Sequence, residues 1–354
     1  MHRLDNKKGD LHMKHKTVIG VGQTGTRLAQ LFAKRNDTLL TFNTDHRDSA
    51  GIDSRADHLV VEGGAGQSYT KGLKIWSDNR DKLQKYLEPV WGQEVIYFTA
   101  AGGGSGSSSV ITFLNILMQQ DNKILLVLVL PFIKESIPAT SNSVRVMNRI
   151  TEFSNNMSVL ILSNDEIAKE VGDSYSRINE FAVEKTRMIT DLTDIHDERS
   201  FTPFAIDEGD HTSVAYSGGF MNVSYTNLEE NFDESGPSIP KFSYGKIKDA
   251  SNILITKVLP TKMKQNRAME EGDRLLSVVK KVGGSAKSAR ILHGIVRSDE
   301  NLPPYITLAT GLDIDRLFDK MKEKATDSAL RFNEKTHTKE TRKLERSEDK
   351  LLDI

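Results

Sequence analysis

The sequence predicts an α/β fold, with a doubly wound parallel sheet followed by a smaller α+β second domain. The first observation is an alternation, from Thr17 to Asn164, of short apolar runs, glycine-bearing or polar turns, and helical segments. The second is that the runs are almost continuously apolar, which is typical of parallel strands covered by helices on both faces. The predicted strands are Thr17–Val21, Leu39–Asn43, Leu59–Val61, Val95–Ala100, Ile124–Pro131 and Val159–Ser163.

A long central helix is predicted next, because apolar residues recur at helical spacing from Ser174 to His196. A polar, irregular segment follows at Asp197–Gly219, and an amphipathic helix is predicted around Asn266–Val282. Fewer and less regular strands indicate a smaller second domain. Its predicted strands are Phe220–Tyr225, Ile253–Leu259, Ala289–Val296 and Tyr305–Ala309.

The composition excludes several classes of protein. The chain has 354 residues, with 48 Lys and Arg, 49 Asp and Glu, and no cysteine. Without cysteine there is no disulfide framework, thiolate metal site or cysteine nucleophile. The formal charge of -1 gives no net attraction to nucleic acid or anionic membrane. Apolar stretches such as Ile124–Phe132 are far shorter than the roughly 20 residues that span a bilayer, so we expect a soluble protein without membrane insertion. Because the net charge is close to zero, we also expect no direct nucleic-acid binding.

A glycine-rich turn, Gly20-Val-Gly22-Gln-Thr-Gly25, follows the first strand and opens a helix. In this context backbone N–H groups and a helix N-terminus can hold a phosphate. Asp45 also stands about 20 residues on, where a dinucleotide-binding enzyme places its ribose carboxylate. This turn alone therefore leaves open a Rossmann oxidoreductase and a purely structural turn.

A second glycine-rich segment, Ala101–Ser108, follows the fourth strand and precedes an amphipathic helix. Its glycines let the backbone approach a ligand, and its N–H groups with the Ser105 and Ser107 hydroxyls predict a second anion site. A flexible linker is the alternative, but linkers seldom separate a buried strand from an amphipathic helix. Two phosphate sites on one sheet favour a polyphosphate held between them, whereas a dehydrogenase needs one.

The two segments together resemble those of the tubulin/FtsZ superfamily of GTP-dependent polymerising proteins, whose signature is GGG[T/S]G[T/S]G. Ser108 stands in place of the last glycine of that signature. Asn43-Thr-Asp45 resembles the segment after the second FtsZ strand. Gly63-Gly-Ala-Gly66 resembles the FtsZ loop near the γ-phosphate.

The resemblance also implies which residues contact the nucleoside. Glu135, which follows a Pro-Phe pair, resembles the ribose-contacting glutamate, although Ala139 replaces the arginine that follows it in FtsZ. Asn164 resembles the guanine-contacting asparagine. Tyr175 and Asn179 lie one helical turn apart, so a ring that can stack on a base and an amide that can bond to it share one helix face. By spacing alone they would be ordinary helix-surface residues.

Asp207 and Asp210 follow the central helix and resemble the catalytic NxDxxD loop of FtsZ, with Ala205 in place of its asparagine. In FtsZ this loop reaches the nucleotide of the neighbouring subunit and polarises the attacking water. Two such carboxylates are otherwise usually solvated charges. A carboxylate near a metal-bound γ-phosphate can orient a water for in-line attack, so the resemblance implies a catalytic pair acting in trans.

The resemblance therefore implies a GTPase that binds GTP with Mg²⁺, without direct protein ligands for the metal, and polymerises head to tail into dynamic filaments. The expected GTP-binding residues are Gly22, Gln23, Thr24, Gly25, Asn43, Asp45, Gly64, Ala65, Gly66, Gly102, Gly103, Gly104, Ser105, Gly106, Ser107, Glu135, Asn164, Tyr175 and Asn179. The expected divisions are a polar N-terminal extension (1–13), a nucleotide-binding domain (14–173), the central helix (174–196), a catalytic loop region (197–219), a second (activation) domain (220–310) and a C-terminal helix with a charged tail (311–354).

Within the superfamily, the short chain, the GGGSGS loop and the charged tail Arg331–Ile354 are most similar to phage tubulins of the PhuZ kind, whose filaments position phage DNA. A TubZ-like partition filament and an FtsZ-like division protein are alternatives. From other classes, a Rossmann NAD-dependent oxidoreductase and a non-hydrolysing GTP-binding scaffold stay open. The expected partners are further copies of the chain and, at the tail, a DNA-bound adaptor or phage component. The expected location is the bacterial or infected-host cytoplasm.

Overall fold

The structure is a computed structural model that describes residues 15–49, 51–191, 206–226, 244–298 and 302–326. Its ten strands form one sheet with helices on both faces. The strands are β1 (Thr17–Val21), β2 (Thr38–Asn43), β3 (Asp57–Val60), β4 (Glu94–Ala100), β5 (Lys123–Leu130), β6 (Ser158–Ser163), β7 (Gly219–Thr226), β8 (Asn252–Leu259), β9 (Arg290–Arg297) and β10 (Tyr305–Thr310). The α-helices are α1 (Gly22–Phe32), α2 (Tyr69–Asp78), α3 (Arg80–Leu87), α4 (Gly104–Met118), α5 (Ile137–Phe153), α6 (Asn164–Val171), α7 (Tyr175–Thr190), α8 (Glu208–Ala215), α9 (Gln265–Ser285) and α10 (residues 315–326).

The strand order is β3-β2-β1-β4-β5-β6-β7-β10-β8-β9. Strands β1 to β7 run parallel to their neighbours in this series, whereas β10 is antiparallel to both β7 and β8. All of β1 and seven of the eight residues of β5 are buried, as expected for parallel strands between two layers of helices. The predicted doubly wound α/β fold is confirmed.

Alternate side chains of each strand enter opposite cores. Val18 of β1 packs in a cluster with Leu28 of α1 and Ile178 of α7, whereas its neighbour Ile19 packs in a cluster with Phe113 of α4. The helices α1 and α7 therefore cover one face of the sheet and α4 covers the other. Ile314 and Met321, at and near α10, belong to the same cluster as Phe113, so the C-terminal helix packs on the α4 side.

The predicted strands of the second domain are present as β7 to β10, and they continue the same sheet. The connection is a short parallel ladder in which Ser158, Val159 and Leu160 of β6 pair with Gly219, Phe220 and Met221 of β7. A third core lies beyond it, where α9 packs on β8. The two halves thus share one hydrogen-bonded sheet but bury partly separate cores.

The predicted irregular segment Asp197–Gly219 is in part helical. Asp207 is the N-cap of α8, and its Oδ1 accepts a hydrogen bond of 2.7 Å from the Asp210 backbone N–H. An aspartate in this position satisfies a donor that the first helical turn leaves free, which favours a helix start. The catalytic pair expected in a loop therefore lies at a helix N-cap and in its first turn.

Several expectations fall outside the described residues: the extension 1–13, the end of the central helix beyond residue 191, Ala205, and the charged tail Arg331–Ile354. Among the residues that are described, no helix is long and apolar enough to cross a membrane.

Candidate functional site

The chain reverses its direction of growth across the sheet between β1 and β4. It runs from β1 through β2 to β3, and then returns to place β4 on the other side of β1. In open parallel sheets, ligands bind outside the carboxyl ends of the strands at such a point, because the turns diverge and leave a crevice. Both glycine motifs begin here, since α1 starts at Gly22 and α4 at Gly104. Much of each predicted loop is thus the first turn of a helix.

The first motif packs against backbone of the second. Gly22 has a φ of +73°, and a Cβ on it would lie 2.8 Å from the Gly106 nitrogen. A Cβ on Gly25 would lie 2.4 Å from the Phe98 carbonyl oxygen of β4. Glycine is therefore required at both positions, because any side chain would separate α1 from β4 and α4.

A third segment, Gly63–Gly66, is joined to the first turn of α4 through Thr44. The Thr44 Oγ1 lies 2.5 Å from the Ser105 Oγ and accepts a hydrogen bond of 3.1 Å from the Ala65 N–H. The Gly64 N–H donates to the Thr44 carbonyl oxygen at 2.7 Å. These bonds hold the segment after β2 against the first turn of α4.

The third segment also contacts α4 directly. The Gly104 N–H donates to the Gly66 carbonyl oxygen at 3.0 Å, and a Cβ on Gly104 would lie 2.1 Å from that oxygen. A Cβ on Gly103 or Gly66 would meet no protein atom within 4 Å. The absence of a side chain at Gly104 thus allows the two segments to touch, whereas Gly103 and Gly66 border open space that a ligand can enter.

Asn142 of α5 ties two of these segments together and was not predicted from the sequence. Its side chain is 3% exposed, and its Nδ2 donates to the carbonyl oxygens of Gln67 at 3.0 Å and Gly102 at 3.1 Å. A buried amide shared between two segments fixes the orientation of both peptide planes. Only the helical period around Asn142 would have indicated that this polar residue faces the core.

The serines of α4 bond within the protein. The Ser107 hydroxyl donates to the Gly103 carbonyl oxygen, and the Ser105 hydroxyl pairs with Thr44. The sequence predicted an anion site that used both hydroxyls. With these groups engaged, the donors that remain for an anion are the unpaired N–H groups of the first helical turn. Ser108, which replaces the signature glycine, fits because Gly72 of α2 leaves space for its hydroxyl.

Glu135 and Tyr175 meet at the other end of the site. The Glu135 Oε1 accepts hydrogen bonds from the Phe132 N–H at 2.9 Å and from the Tyr175 hydroxyl at 3.0 Å. Tyr175 is 54% exposed, with its ring edge-on to Phe132. Partial burial, and then the bond to Glu135, raises the pKa of the Tyr175 hydroxyl. The structure thus brings together the predicted ribose-contacting and base-stacking residues.

Three buried polar atoms at the site have no hydrogen-bond partner among the described residues: Asn43 Nδ2, Asn164 Oδ1 and Thr26 Oγ1. Their side chains are 0%, 5% and 3% exposed, respectively. An unpaired buried polar atom is costly, and a bound ligand that supplies the missing partner is one physical reason for its presence.

The remaining predicted residues are less constrained. Arg47 bonds to Asp45 and holds the pKa of that carboxyl at about 2, so Asp45 is ionised at neutral pH. Gln23 is exposed at the start of α1, while Thr24 and Asn179 are partly buried.

Residues 15–172 match the family model described as Tubulin/FtsZ family, GTPase domain. This part of the chain is therefore similar to the GTPase domain of the tubulin/FtsZ family. The matched range contains the three glycine segments, Glu135 and Asn164, and it ends just before α7.

Solved structures with the tubulin/FtsZ fold cover nearly the whole chain. CetZ from Methanosaeta thermophila strain DSM 6194 is 19% identical, with a TM-score of 0.67, over 95% of this chain and 97% of that one. TubZ of Bacillus thuringiensis serovar israelensis in a GTPγS-form protofilament is 14% identical, with a TM-score of 0.72, over 90% and 94%. TubZ of Clostridium botulinum phage c-st is 16% identical, with a TM-score of 0.65, over 90% and 100%. At such identities the likeness establishes the fold. A search of curated proteins gave no sequence match.

Asp207 and Asp210 lie towards the amino-terminal ends of the parallel strands, whereas the glycine segments lie at the carboxyl ends. Their helix α8 leads into the start of β7, which is parallel to β1 and β4 within the sheet. The glycine segments instead follow the ends of β1 and β4. One chain therefore does not bring the two aspartates to its own glycine segments. Across the described residues, no group of three or more His, Cys, Asp or Glu side chains could hold a metal ion.

Proposed function

We propose that this chain binds and hydrolyses GTP and polymerises head to tail. The observation that carries the proposal is the meeting of three glycine segments, Gly22–Gly25, Gly63–Gly66 and Gly102–Ser107, at the point where the chain reverses its direction of growth across the sheet. Two helix N-termini and the open space beside Gly103 and Gly66 suit a chain of phosphates. A Rossmann oxidoreductase would need only the first of these segments.

Guanine is the base that we assign to the other end of the site. The unpaired Asn164 Oδ1 can accept a hydrogen bond from guanine, Asn179 can bond to the base edge, and Tyr175 can stack on it. Glu135 would then face the ribose. Mg²⁺ would be held by the phosphate oxygens of the nucleotide.

The position of Asp207 and Asp210 supports polymerisation. The two aspartates and the glycine segments of one chain lie at opposite ends of the parallel strands. The aspartates can therefore take part in hydrolysis only at the nucleotide of a second copy stacked on the first. Such an interface joins two different surfaces and does not close on itself, so it generates a filament. A solved TubZ structure is described as a GTPγS-form protofilament, which is the arrangement that we propose here.

For the cellular role we propose the positioning of phage DNA, by the resemblance of loop and tail to PhuZ-like proteins, with plasmid partition as the alternative. Light microscopy of a fluorescent fusion in infected and plasmid-bearing cells separates them. Filaments that follow phage DNA support the first role, and filaments that follow the plasmid support the second.

The in-trans mechanism is tested with Asp207→Asn and Asp210→Asn. Asparagine caps a helix about as well as aspartate, so Asp207→Asn removes the charge and keeps α8. Phosphate release should fall on the order of a hundredfold while GTP binding by the monomer is unchanged, since a lost water-orienting carboxylate costs several kcal/mol of transition-state stabilisation. Light scattering should show filaments that persist, and mixtures with wild type should disassemble slowly.

The matched control is Asp273→Asn, which neutralises an exposed carboxylate on α9. It should release phosphate at the wild-type rate. Normal hydrolysis by a polymerising Asp207→Asn, Asp210→Asn double variant would refute the mechanism, and equal binding of NAD and GTP would refute the assignment of the nucleotide.

A further inference from the structure

A cavity of 510 Å³ lies behind the proposed nucleotide site, between the ends of β5 and β6 on one side and α10 on the other. Its lining includes residues 131–133, close to Glu135, and Ser163, Asp165 and Glu166, which flank Asn164, but none of the glycines Gly22, Gly66 and Gly103. Its volume is in the range of small-molecule sites, about 300–1,000 Å³. It is therefore a space distinct from the phosphate end of the nucleotide site.

The floor of the cavity is apolar. Four apolar residues line it and are each at most 9% exposed: Leu130, Phe132, Ile161 and Met321. Ile133 also lines it and is 38% exposed. Large exposed aliphatic side chains are few among the described residues, and this one borders the cavity. The floor therefore favours an occupant with an apolar body.

Five basic side chains also line the cavity, and no ion pair engages them within the described residues: Lys246, Lys248, Arg316, Lys320 and Lys324. The lining also has four carboxylates, of which one is paired with a cation outside the lining and two accept hydrogen bonds from backbone N–H groups. Asp165 accepts the Ile133 N–H, Glu166 pairs with Lys169, and Asp313 accepts the Asp315 N–H. Asp249 is left as the lining acid without such a bond. Five cations against three carboxylates that lack a cationic partner leave an excess of positive charge, which favours an anionic group on the occupant.

A buried hydroxyl in the wall gives an independent indication of a missing partner. Ser143 of α5 returns its hydroxyl to the Ala139 carbonyl oxygen at 2.9 Å, as helical serines commonly do. Thr140, also in the lining and 6% exposed, has an Oγ1 without a hydrogen-bond partner among the described residues. A polar group on an occupant would satisfy it.

We propose that this cavity binds a small anionic amphiphile, of the class of a medium-chain carboxylate. The apolar part lies on the floor formed by Phe132 and Ile161. The carboxylate is neutralised by the cations of α10 and of residues 246–248. The cavity contains none of Gly22, Gly66 and Gly103, and a binding measurement in the absence of nucleotide tests the proposal independently of the proposed GTPase activity.

Isothermal titration calorimetry of the full chain with dodecanoate, below its micelle concentration, tests the proposal. Binding should saturate at one molecule per chain, and Arg316→Glu with Lys320→Glu should weaken it at least about tenfold. Lys322→Glu is the matched control, because Lys322 lies on the same helix but contacts Asp319 and Phe318 outside the lining. It should bind dodecanoate within about twofold of wild type, and dodecyltrimethylammonium should not saturate the site.

The wall hydroxyl gives a second comparison. Thr140→Val keeps the shape and should weaken dodecanoate binding severalfold without lowering the melting temperature, whereas Ser143→Ala should leave binding unchanged. The proposal is overturned if dodecanoate gives no saturable heat up to the order of 1 mM, or if Lys322→Glu loses as much affinity as the double variant. Equal binding of the cationic amphiphile would also overturn it.

Discussion

At the phosphate end of the candidate site, three segments touch through backbone atoms, whereas at the base end side chains from α5, α6 and α7 and their flanking turns meet. A Cβ on Gly22 or Gly104 would collide with main chain, so these positions allow one residue type. Glu135 and Tyr175 instead meet through a single hydrogen bond at an exposed rim. We infer that substitutions at the phosphate end abolish most of the nucleotide affinity. Substitutions at the base end should each change the affinity or the preference for guanine by a smaller factor.

The largest expected effect follows where backbone meets backbone. Gly104→Ala would place a Cβ 2.1 Å from the Gly66 carbonyl oxygen and 3.1 Å from the Ser68 nitrogen, so the two segments must move apart. We expect affinity for a fluorescent GTP analogue to fall about a hundredfold or more, because the N–H donors of the two segments would no longer converge on the phosphates and each lost bond to a charged group costs about 1.5–3 kcal/mol. Equilibrium fluorescence titration measures the loss.

Gly103→Ala sharpens this result, because its Cβ would meet no protein atom within 4 Å and its φ of -77° suits any residue. The free energy of unfolding should stay at the wild-type value while GTP affinity falls about tenfold, as the methyl group enters the space assigned to phosphate. Wild-type affinity in Gly103→Ala would show that no phosphate approaches this face.

At the base end, Asn164→Ala should reduce the preference for GTP over ATP by about tenfold to a hundredfold. The Asn164 Oδ1 is buried without a partner among the described residues, and a base that left it unpaired would bind more weakly. Competition titrations with GTP, ITP and ATP measure the ratio, with Asn148→Ala on the exposed face of α5 as control. An unaltered ratio in Asn164→Ala would take this residue out of the base-reading set.

Asn142 lies between the two ends, and its replacement should have an intermediate effect. Asn142→Asp cannot donate to the Gln67 and Gly102 carbonyl oxygens, and we expect GTP affinity to fall about tenfold. GDP affinity should fall less, because Gln67 follows the segment assigned to the γ-phosphate. Parallel titrations of both nucleotides measure the split. Equal losses for GTP and GDP, together with a lower melting temperature, would indicate a purely structural role.

The smallest effect is expected at the exposed rim. Tyr175→Phe removes the hydrogen bond to Glu135 but keeps the ring, so GTP affinity should change by about twofold. Tyr175→Ala also removes the stacking surface and should cost about tenfold. Fluorescence titration of both variants compares the contributions, and equal affinities for Phe and Ala would exclude stacking by Tyr175.

The contrast between the two ends also explains what the sequence could predict. Glycine motifs after β1 and β4 were recognisable because close backbone approach admits no other residue. The parallel strands were recognisable because burial on both faces makes them continuously apolar, and their predicted bounds lie within two residues of those in the structure. Both signals are local in sequence and follow from sterics or burial.

Other features depend on distant contacts and could not be predicted in this way. Asn142 donates to carbonyl oxygens 40 and 75 residues away in the chain, so its helical period can show that it faces the core but not which groups it bonds to. The engagement of Ser105 by Thr44 likewise bridges 61 residues. The helical start at Asp207 has a local signal, a capping aspartate, but the polar composition of the segment concealed it. The domain boundaries and the roles of the site residues stay predictions.

The short ladder between β6 and β7 bears on what each half can do alone. Ser158, Val159 and Leu160 are fully buried there, so cutting the chain between α7 and β7 would leave an unpaired apolar edge strand on the GTPase half. Such edges recruit strands from other molecules and lead to aggregation. The second half thus covers the β6 edge of the sheet, and residues 15–191 expressed by themselves should yield insoluble protein.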